Sequence, residues 1–348
     1  MNRSQIIEKL SLSKSDSLKA LYADANTIKI STIGNKVYLR GLIEFSNICS
    51  KNCYYCGIRR ENHAVNRYEL TDEEVLAAVD FAWKNRYGSV VLQSGEQQSA
   101  HFTERITRLL HEIKVYTNNE IGITLSCGEQ TATTYREWFK AGAHRYLLRI
   151  ETSNRKLYDL LHPNDAKHSF DTRLDALTCL REEGYQLGTG VMIGLPFQTI
   201  EQMADDLLFF QSLNVDMVGM GPYLEHSQTP MYPYRHILPP LAERLDLSLK
   251  MVAVLRLLMP DINIAATTAL QVLHPEGREM AVLAGANIIM PNMTLPEFRT
   301  DYLIYEHKPG VNDDAALSKS KLEENLHHAG IAIGYGEWGD SQHFSNKE

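Results

Sequence analysis

The segment Val37-Tyr-Leu-Arg-Gly-Leu-Ile43 reads as a buried strand, and the stretch Cys49-Ser-Lys-Asn-Cys53-Tyr-Tyr-Cys56 follows shortly after it. Thiolates are the usual ligands of iron–sulfur clusters, and a four-iron cluster has four iron positions to fill. This motif offers only three thiolates. An incomplete ligand shell leaves one metal position open, which is typical of a catalytic rather than a structural site. The segment therefore predicts a cluster with one iron free to bind a small chelating molecule.

A structural zinc site is the alternative for these cysteines. Zinc would need a fourth ligand, and a histidine such as His63 could supply it. Five cysteines form an odd count in a large chain, and three of them fall within eight residues, which points to metal binding rather than disulfides. Cys179 is expected to be a small buried residue without a role, and burial is also expected for Cys127, with a place in the pocket lining as its alternative.

Strand and helix patterns alternate along the chain after residue 35. Such alternation implies parallel strands with right-handed crossovers, and eight strands favour a closed (β/α)8 TIM-type barrel over a doubly wound sheet. We expect an N-terminal helical extension at 1–35, the α/β barrel at 36–310 and a C-terminal segment at 311–348. The predicted strands are Val37–Ile43, Ser89–Leu92, Ile121–Ser126, Tyr146–Ile150, Leu187–Ile193, Asp216–Met220, Ile262–Ala266 and Ala286–Met290.

Composition excludes several classes of partner. The 348 residues carry a formal net charge of −8 and show no basic run interleaved with aromatic residues, so nucleic acid and anionic membranes are not expected partners. The stretch 1–25 is interrupted by charged residues and has neither a signal-peptide apolar segment nor a membrane span. We therefore expect a cytoplasmic protein.

Charged and polar residues stand where a barrel expects apolar ones. By strand parity, Arg149 and Glu151 face the lumen at the catalytic end of the fourth strand, where they pair with each other or with a ligand. Arg173 lies on or beside the buried stripe of its helix, so it either binds a planar anion or extends its head into water. Glu96 ends the second strand, and Thr267 and Thr268 end the seventh. The fifth strand is glycine-rich, and its glycines allow a flat ligand to approach, although they could serve packing alone.

The spacing of the cysteines resembles the motif of the radical S-adenosylmethionine (SAM) superfamily, and a longer set of segments resembles the FeFe-hydrogenase maturase family HydE. The similarity spans about residues 37 to 310. The matching segments are Glu44-Phe-Ser-Asn through Asn66-Arg-Tyr, Leu92-Gln-Ser-Gly-Glu96, Arg145-Tyr-Leu-Leu-Arg-Ile-Glu-Thr152, Gly194-Leu-Pro, Asp216-Met-Val-Gly-Met-Gly-Pro222, Ala265-Ala-Thr-Thr-Ala269 and Gly285-Ala-Asn-Ile-Ile-Met-Pro-Asn292.

The resemblance implies a set of site residues. It implies that Cys49, Cys53 and Cys56 carry one 4Fe-4S cluster with an open iron. It places SAM against Tyr55, Glu96, Ser126, Glu151 and Arg173, with the strand Gly190–Gly194 beside the adenine. It also implies an inner anion-binding cavity for substrate, lined by Thr124, Arg149, Thr267, Thr268, Tyr302 and Tyr305.

The resemblance further implies an activity and partners. The cluster would reduce SAM to methionine and a 5′-deoxyadenosyl radical, which attacks a small sulfur- or iron-containing precursor of the hydrogenase site. The other maturases, a tyrosine lyase and a GTPase scaffold, would be transient partners. One departure is that no cysteine follows Cys179, so the second cluster of some family members has no ligands at that position. The alternatives are a related enzyme such as 3-methylornithine synthase and, from another class, a non-catalytic metal-binding assembly module. Biotin synthase is disfavoured because the additional cysteines it requires are missing.

Overall fold

Eight parallel strands form the centre of the molecule, and three further short strands pair beside them. The computed structural model describes residues 1–347. Its strands are β1 (Lys36–Ser46), β2 (Ser89–Ser94), β3 (Gly122–Ser126), β4 (Arg145–Leu147), β5 (Gln186–Thr189), β6 (Met192–Ile193), β7 (Met217–Val218), β8 (Gly221–Pro222), β9 (Asn263–Ile264), β10 (Ile288–Ile289) and β11 (Ala332–Ile333).

The strands close into a barrel. The hydrogen-bonded order is β10-β1-β2-β3-β4-β5-β7-β9, and a bridge between Ala265 and Ile288 joins its two ends. The pair β6 and β8 extends the fifth and sixth positions beyond β5 and β7. All of these pairings are parallel, as expected for strands joined by helical crossovers. The predicted (β/α)8 barrel is confirmed.

Helices surround the barrel, and several of them begin at residues whose side chains act as N-caps. Thr71 and Thr199 each form a capping box with the residue three positions later, and Ser169 caps its helix through Thr172. The helices are α1 (Arg3–Leu10), α2 (Ser15–Ile33), α3 (Asp72–Lys84), α4 (Ala100–Tyr116), α5 (Ala132–Lys140), α6 (Arg155–Leu161), α7 (Phe170–Glu182), α8 (Ile200–Ser212), α9 (Leu241–Leu258), α10 (Leu270–Leu273), α11 (Gly277–Leu283), α12 (Pro296–Arg299), α13 (Ala315–His328) and α14 (Gln342–Ser345). None of the helices within residues 1–347 combines the length and the apolar character needed to cross a membrane.

The predicted fourth and fifth strands differ from the observed ones in ways that have a local cause. The fourth strand ends at Leu147 rather than Ile150, because the hydroxyl of Thr189 accepts the Ile150 amide at 3.2 Å and replaces a backbone partner. The predicted fifth strand is split into β5 and β6. Gly190 lies in the gap, and a Cβ there would come within 1.9 Å of the Gly219 carbonyl oxygen. Glycine at this position therefore lets the backbone segments at Gly190 and Gly219 approach closely where the hydrogen bonding between the strands is interrupted.

The C-terminal segment crosses the amino-terminal end of the barrel strands, which we call the barrel floor. β11 pairs with the start of β1, and the Gly339 carbonyl accepts hydrogen bonds from Arg40 and Asn263, each at 2.9 Å. Asp340 forms an ion pair with the buried Arg145. The opposite end, where the strands end and the cysteines lie, is the barrel mouth. Segment 334–345 thus covers the floor and leaves the mouth free for a site.

Candidate active site

The cysteine loop runs from β1 towards α3 across the barrel mouth. Arg67 holds it in shape, donating hydrogen bonds to the carbonyls of Asn47 at 2.7 Å and Ile58 at 2.8 Å. It also donates to the carbonyls of Arg59, Arg60 and Asn62. One guanidinium therefore fixes both ends of the loop that carries the thiols.

The three thiols lie close enough to influence one another. Burial, and after it the neighbouring Cys49, raise the pKa of Cys53 to about 12. The pKa of Cys56 is raised by burial and then by Cys53 and Cys49. The amide of Glu96 donates to the Cys49 sulfur at 3.3 Å. Three clustered thiols that resist ionisation need a cationic metal group to hold them as thiolates.

This donor set fits a 4Fe-4S cluster better than a zinc ion. Among the described residues 1–347, no three His, Cys, Asp or Glu side chains are arranged around a single metal ion, and His63 is exposed. A cluster instead takes one thiolate for each iron, so its cysteines surround a larger body and need not converge on a point. Within residues 1–347, no histidine, aspartate or glutamate forms a metal-binding group with these cysteines, so the zinc alternative gains no support.

Four charged side chains form a network beside the cysteine loop, which we call the charge quartet: Lys51, Glu96, Glu129 and Arg173. The first three are buried, and Arg173 has 11% of its side chain exposed. Lys51 Nζ lies 2.8 Å from a Glu129 oxygen and 3.2 Å from a Glu96 oxygen. Arg173 donates to Glu129, and its Nη2 lies 3.8 Å from Glu96. Burial alone would raise the pKa of Glu129, but Arg173 and Lys51 outweigh it and lower the pKa. Two cations and two anions balance, as buried charges must.

A glycine allows the quartet to assemble. Gly128 has φ +74°, and a Cβ there would lie 2.3 Å from the Glu96 side chain. The amide of the next residue, Glu129, donates to Glu96 at 3.0 Å. The sequence-based prediction had included Glu96 and Arg173 but had missed Lys51 and Glu129. Their available signals were the position of Lys51 between two cysteines and the position of Glu129 just beyond the carboxyl end of β3.

Arg149 and Glu151 form an ion pair with each other. The sequence had left open whether they pair in this way or bind a ligand. Arg149 Nη2 lies 2.9 Å from the Glu151 carboxylate, and Arg149 also donates to the Val191 carbonyl at 2.9 Å. Glu151 has a left-handed φ of +67°, which is unfavourable for a residue other than glycine. The Arg149 carbonyl accepts from Arg173 at 2.7 Å, so this pair is joined to the charge quartet.

Tyr55 lies in a second, smaller apolar cluster at the mouth. It packs with Leu157, Leu161, Met192, Leu195, Tyr223 and Met231. Two of these residues, Met192 and Leu195, lie on either side of Gly194, so Tyr55 and the strand predicted to lie beside the adenine belong to one apolar cluster. His162 packs edge-on against Tyr55 with the ring centres 5.5 Å apart, and burial lowers the pKa of His162 to about 3. The imidazole beside Tyr55 is therefore neutral at physiological pH.

The predicted substrate residues fall into two levels of the barrel. At the mouth, the Tyr302 hydroxyl is within hydrogen-bond distance of Gln93 at 3.2 Å, and Ser126 pairs in register with Gln93. Burial raises the pKa of Tyr305, the charge of Glu44 raises it further, and the charge of Arg149 lowers it. Thr267 has a buried hydroxyl oxygen without a protein partner, and Thr268 follows it at the start of α10.

Thr124 lies deeper than these residues. Its hydroxyl accepts a hydrogen bond from Arg145 at 3.1 Å, and it lines a lumen cavity of about 20 Å³ with Val91, Leu147, Ala265 and Met290 among others. A cavity of this size holds about one water molecule. The structure therefore does not bring Thr124 into contact with Arg149.

The comparisons with known proteins agree with this geometry. A family model described as the radical SAM superfamily matches residues 43–210, which contain the cysteine loop and the whole charge quartet. The molecule is accordingly a radical SAM enzyme, a class whose cofactors are a 4Fe-4S cluster and SAM. The [FeFe] hydrogenase maturase subunit HydE of Thermotoga maritima is 42% identical over 88% of this chain and 84% of that protein. The chain belongs to the HydE family.

More distant relatives share the architecture. A 3-methylornithine synthase of Methanosarcina acetivorans is 29% identical over 80% of this chain and 76% of that protein. A crystal structure of methylornithine synthase (PylB) superposes with a TM-score of 0.81 over 96% of this chain and 94% of that chain, at 24% identity. The latter similarity shows the fold alone.

Proposed function

We propose that the chain cleaves SAM reductively at the barrel mouth during assembly of the FeFe-hydrogenase active site. The observation that carries the proposal is the contact between the cysteine loop and the charge quartet: the Glu96 amide donates to Cys49 while the Glu96 carboxylate lies 3.2 Å from Lys51. When bound, the cluster and SAM together supply a 5′-deoxyadenosyl radical, and the substrate is a small sulfur- or iron-containing precursor. The protein contributes ligands, orientation and electrostatics.

In this proposal Cys49, Cys53 and Cys56 hold the cluster, and the quartet binds the amino-acid end of SAM. Arg173 donates to Glu129 through Nε and to the Arg149 carbonyl through Nη1, and its planar guanidinium is also suited to binding a carboxylate through two parallel hydrogen bonds. SAM would take the place of Glu129 as one partner of this guanidinium. Glu96 remains beside Lys51, so the site keeps a balance of charges.

The other end of SAM would lie against Tyr55, Glu151, Ser126 and the strand Gly190–Gly194. Tyr55 and the neighbouring apolar residues offer a flat, water-poor surface suited to a base. Glu151 would then exchange its ion pair with Arg149 for the ribose. That exchange would free the Arg149 guanidinium to face the substrate cavity.

The substrate cavity in the proposal is the anion-binding region around Arg149, Thr267, Thr268, Tyr302 and Tyr305. The orphaned Thr267 hydroxyl supports it, because buried polar atoms without a protein partner are uncommon and await a ligand or water. Thr124, one level deeper, would contact only a substrate that reaches into the lumen.

The proposal includes the setting of the reaction. The five cysteines are all free thiols, which supports a reducing compartment such as the cytoplasm. The tyrosine-lyase maturase and the GTPase scaffold are proposed as transient partners that deliver the precursor and accept the product.

The test of SAM cleavage compares two cysteine variants under anaerobic conditions. The protein is reconstituted with iron and sulfide and reduced, and SAM is added. We expect wild type and Cys179→Ala to show a SAM-dependent change in the reduced-cluster EPR signal and to release 5′-deoxyadenosine. Cys179 lies on α7, outside the cysteine loop, so it is a matched control. Cys53→Ala should lose both signals, because its cluster lacks one thiolate.

The assignment within the superfamily needs a second measurement. We expect the gene to restore hydrogenase activity in a host whose own maturase of this family has been deleted. Conversion of free lysine to 3-methylornithine, with no such restoration, would replace this function with that of the synthase. Stoichiometric zinc without iron in the purified protein would instead support a non-catalytic metal-binding module.

A further inference from the structure

A buried carboxylate outside the proposed cofactor contacts joins two loops of the mouth. Asp206 lies on α8 with no exposed surface, and within residues 1–347 no cation forms an ion pair with it. Its Oδ1 accepts from both the amide and the hydroxyl of Ser153 at 2.6 Å, and its Oδ2 accepts from Gln198 at 3.3 Å. An unpaired buried carboxylate is costly, so its retention calls for a reason other than the packing of α8.

The first loop is the one after β4. Ser153 is two residues beyond Glu151, whose backbone has the left-handed φ of +67°. Such a conformation persists only where the surroundings hold it in place. The Glu151 amide donates to the Gly190 carbonyl at 3.0 Å on one side, and Asp206 holds Ser153 on the other. The carboxylate therefore anchors the strained turn that orients Glu151.

The second loop is the one after β6. Gln198 accepts from the amides of Gly194 at 2.8 Å and Leu195 at 3.1 Å, and it donates to the Met192 carbonyl at 3.3 Å. Its side chain thus ties the turn that carries Gly194 into a closed unit. The same amide group of Gln198 donates to Asp206, so both loops meet at one carboxylate.

We propose that Asp206 is a positioning residue that sets the spacing between the Glu151 turn and the Gly194 turn. This inference rests on the proposed function, in which the ribose and the adenine of SAM lie against these two turns. Asp206 itself reaches neither cofactor nor substrate. Its effect is on SAM affinity, because a ligand that spans both turns needs them at a fixed separation.

Three donors converge on Asp206, and this makes the replacement by asparagine informative. The Ser153 amide, the Ser153 hydroxyl and the Gln198 amide group all donate to the Asp206 side chain, which only accepts when it is ionised. Burial raises the pKa of Asp206 to about 7, so the comparison is made above that pH. In Asp206→Asn one acceptor becomes a donor that faces another donor. The volume is unchanged, so the variant separates the loss of the tie from a packing defect.

The test compares Asp206→Asn with the matched control Asp205→Asn. Asp205 is the neighbouring residue on α8 and forms an exposed ion pair with Arg3, which contributes little to stability. For each reconstituted variant we would measure the SAM dissociation constant by titrating the EPR change, the iron content and the thermal midpoint. We expect the SAM dissociation constant of Asp206→Asn to rise about tenfold, as for lost supporting hydrogen bonds at a cofactor site. Iron content and thermal midpoint should match the control.

The outcomes distinguish this inference from the function on which it rests. If wild type shows no response to SAM, the proposed function fails. If wild type responds and Asp206→Asn binds SAM as tightly as Asp205→Asn, only the role of Asp206 is overturned, and the same holds if weaker binding merely follows a lower thermal midpoint. Should Asp206→Asn fail to fold, Ser153→Ala decides, since it removes one hydroxyl donor and keeps the amide. An unchanged dissociation constant in that variant would overturn the inference.

Discussion

Arg145 lies in β4, and Arg149 lies two residues beyond the end of that strand. Their side chains face the lumen of the barrel, Arg145 at the floor and Arg149 at the mouth. At the floor, Arg145 has no exposed surface and donates to Thr124, to the Trp338 carbonyl and to Asp340. Burial lowers its pKa to about 10, and Asp340 limits the drop. At the mouth, Arg149 keeps 30% of its side chain exposed and pairs with Glu151.

Arg145 therefore carries a structural charge, whereas Arg149 carries a charge whose partner can be exchanged. The partners of Arg145 come from a neighbouring strand and from the segment that seals the floor, so replacing them would mean opening the fold. The partner of Arg149 is a residue two positions away on a strained turn, and a ligand can replace it without unfolding anything. Barrel enzymes use the carboxyl ends of their strands for catalysis, and this pair of arginines shows the physical basis.

The largest expected effect is a difference in stability between two variants, one without the anion that pairs with Arg145 and one without the anion that pairs with Arg149. We expect Asp340→Ala to destabilise the protein by about 3 kcal/mol, because it leaves Arg145 buried without a counter-charge. Glu151→Gln should cost less than about 1 kcal/mol, because Arg149 remains partly in water. Urea unfolding of the two variants measures the contrast. Equal losses of unfolding free energy would show that the ion pair at the floor contributes no more to stability than the ion pair at the mouth.

A smaller effect should come from the mouth alone, at Arg173. Lysine cannot reproduce the planar fork of this guanidinium, which now contacts Glu129 and the Arg149 carbonyl. Loss of one charge-assisted hydrogen bond, about 1.5–3 kcal/mol, corresponds to an increase of about 10- to 100-fold in the SAM dissociation constant of Arg173→Lys. Arg155→Lys is the control, because Arg155 forms an exposed ion pair with Asp171. An Arg173→Lys variant that binds SAM normally would remove Arg173 from the proposed site.

The smallest effect concerns acid stability at the floor. Burial alone would raise the pKa of Asp340, but the hydrogen bond with His144 and the charge of Arg145 outweigh it and lower the pKa below its usual range. A depressed carboxyl pKa stabilises the folded state above the unfolded pKa of about 4, and this stabilisation is lost as the pH falls below that value. The gap in unfolding free energy between wild type and Asp340→Ala should therefore narrow as the pH falls from about 4 towards the lower folded-state pKa. A constant gap would mean that Asp340 acts through packing rather than charge.

Part of the site followed from local sequence. The cysteine motif, Glu96 and Arg149 could be proposed as site residues because ligand spacing and strand parity are local properties. The parity that places Arg149 in the lumen holds for Arg145 as well, yet the partner of Arg145 lies 195 residues later at Asp340. The Arg149–Glu151 ion pair was an alternative to ligand binding. The structure shows the pair, and its partial exposure leaves it open to exchange.

The sequence by itself determined the barrel and the cluster loop, since alternating strand and helix periodicities and three closely spaced cysteines specify them without distant partners. Only the tertiary structure decided how the charges are shared. Lys51 and Glu129 complete the quartet, Asp340 neutralises the floor, and Asp206 joins two turns, each through contacts between segments far apart in the chain. Those pairings depend on which loops the closed barrel brings to the same end, and no local pattern of residues records that.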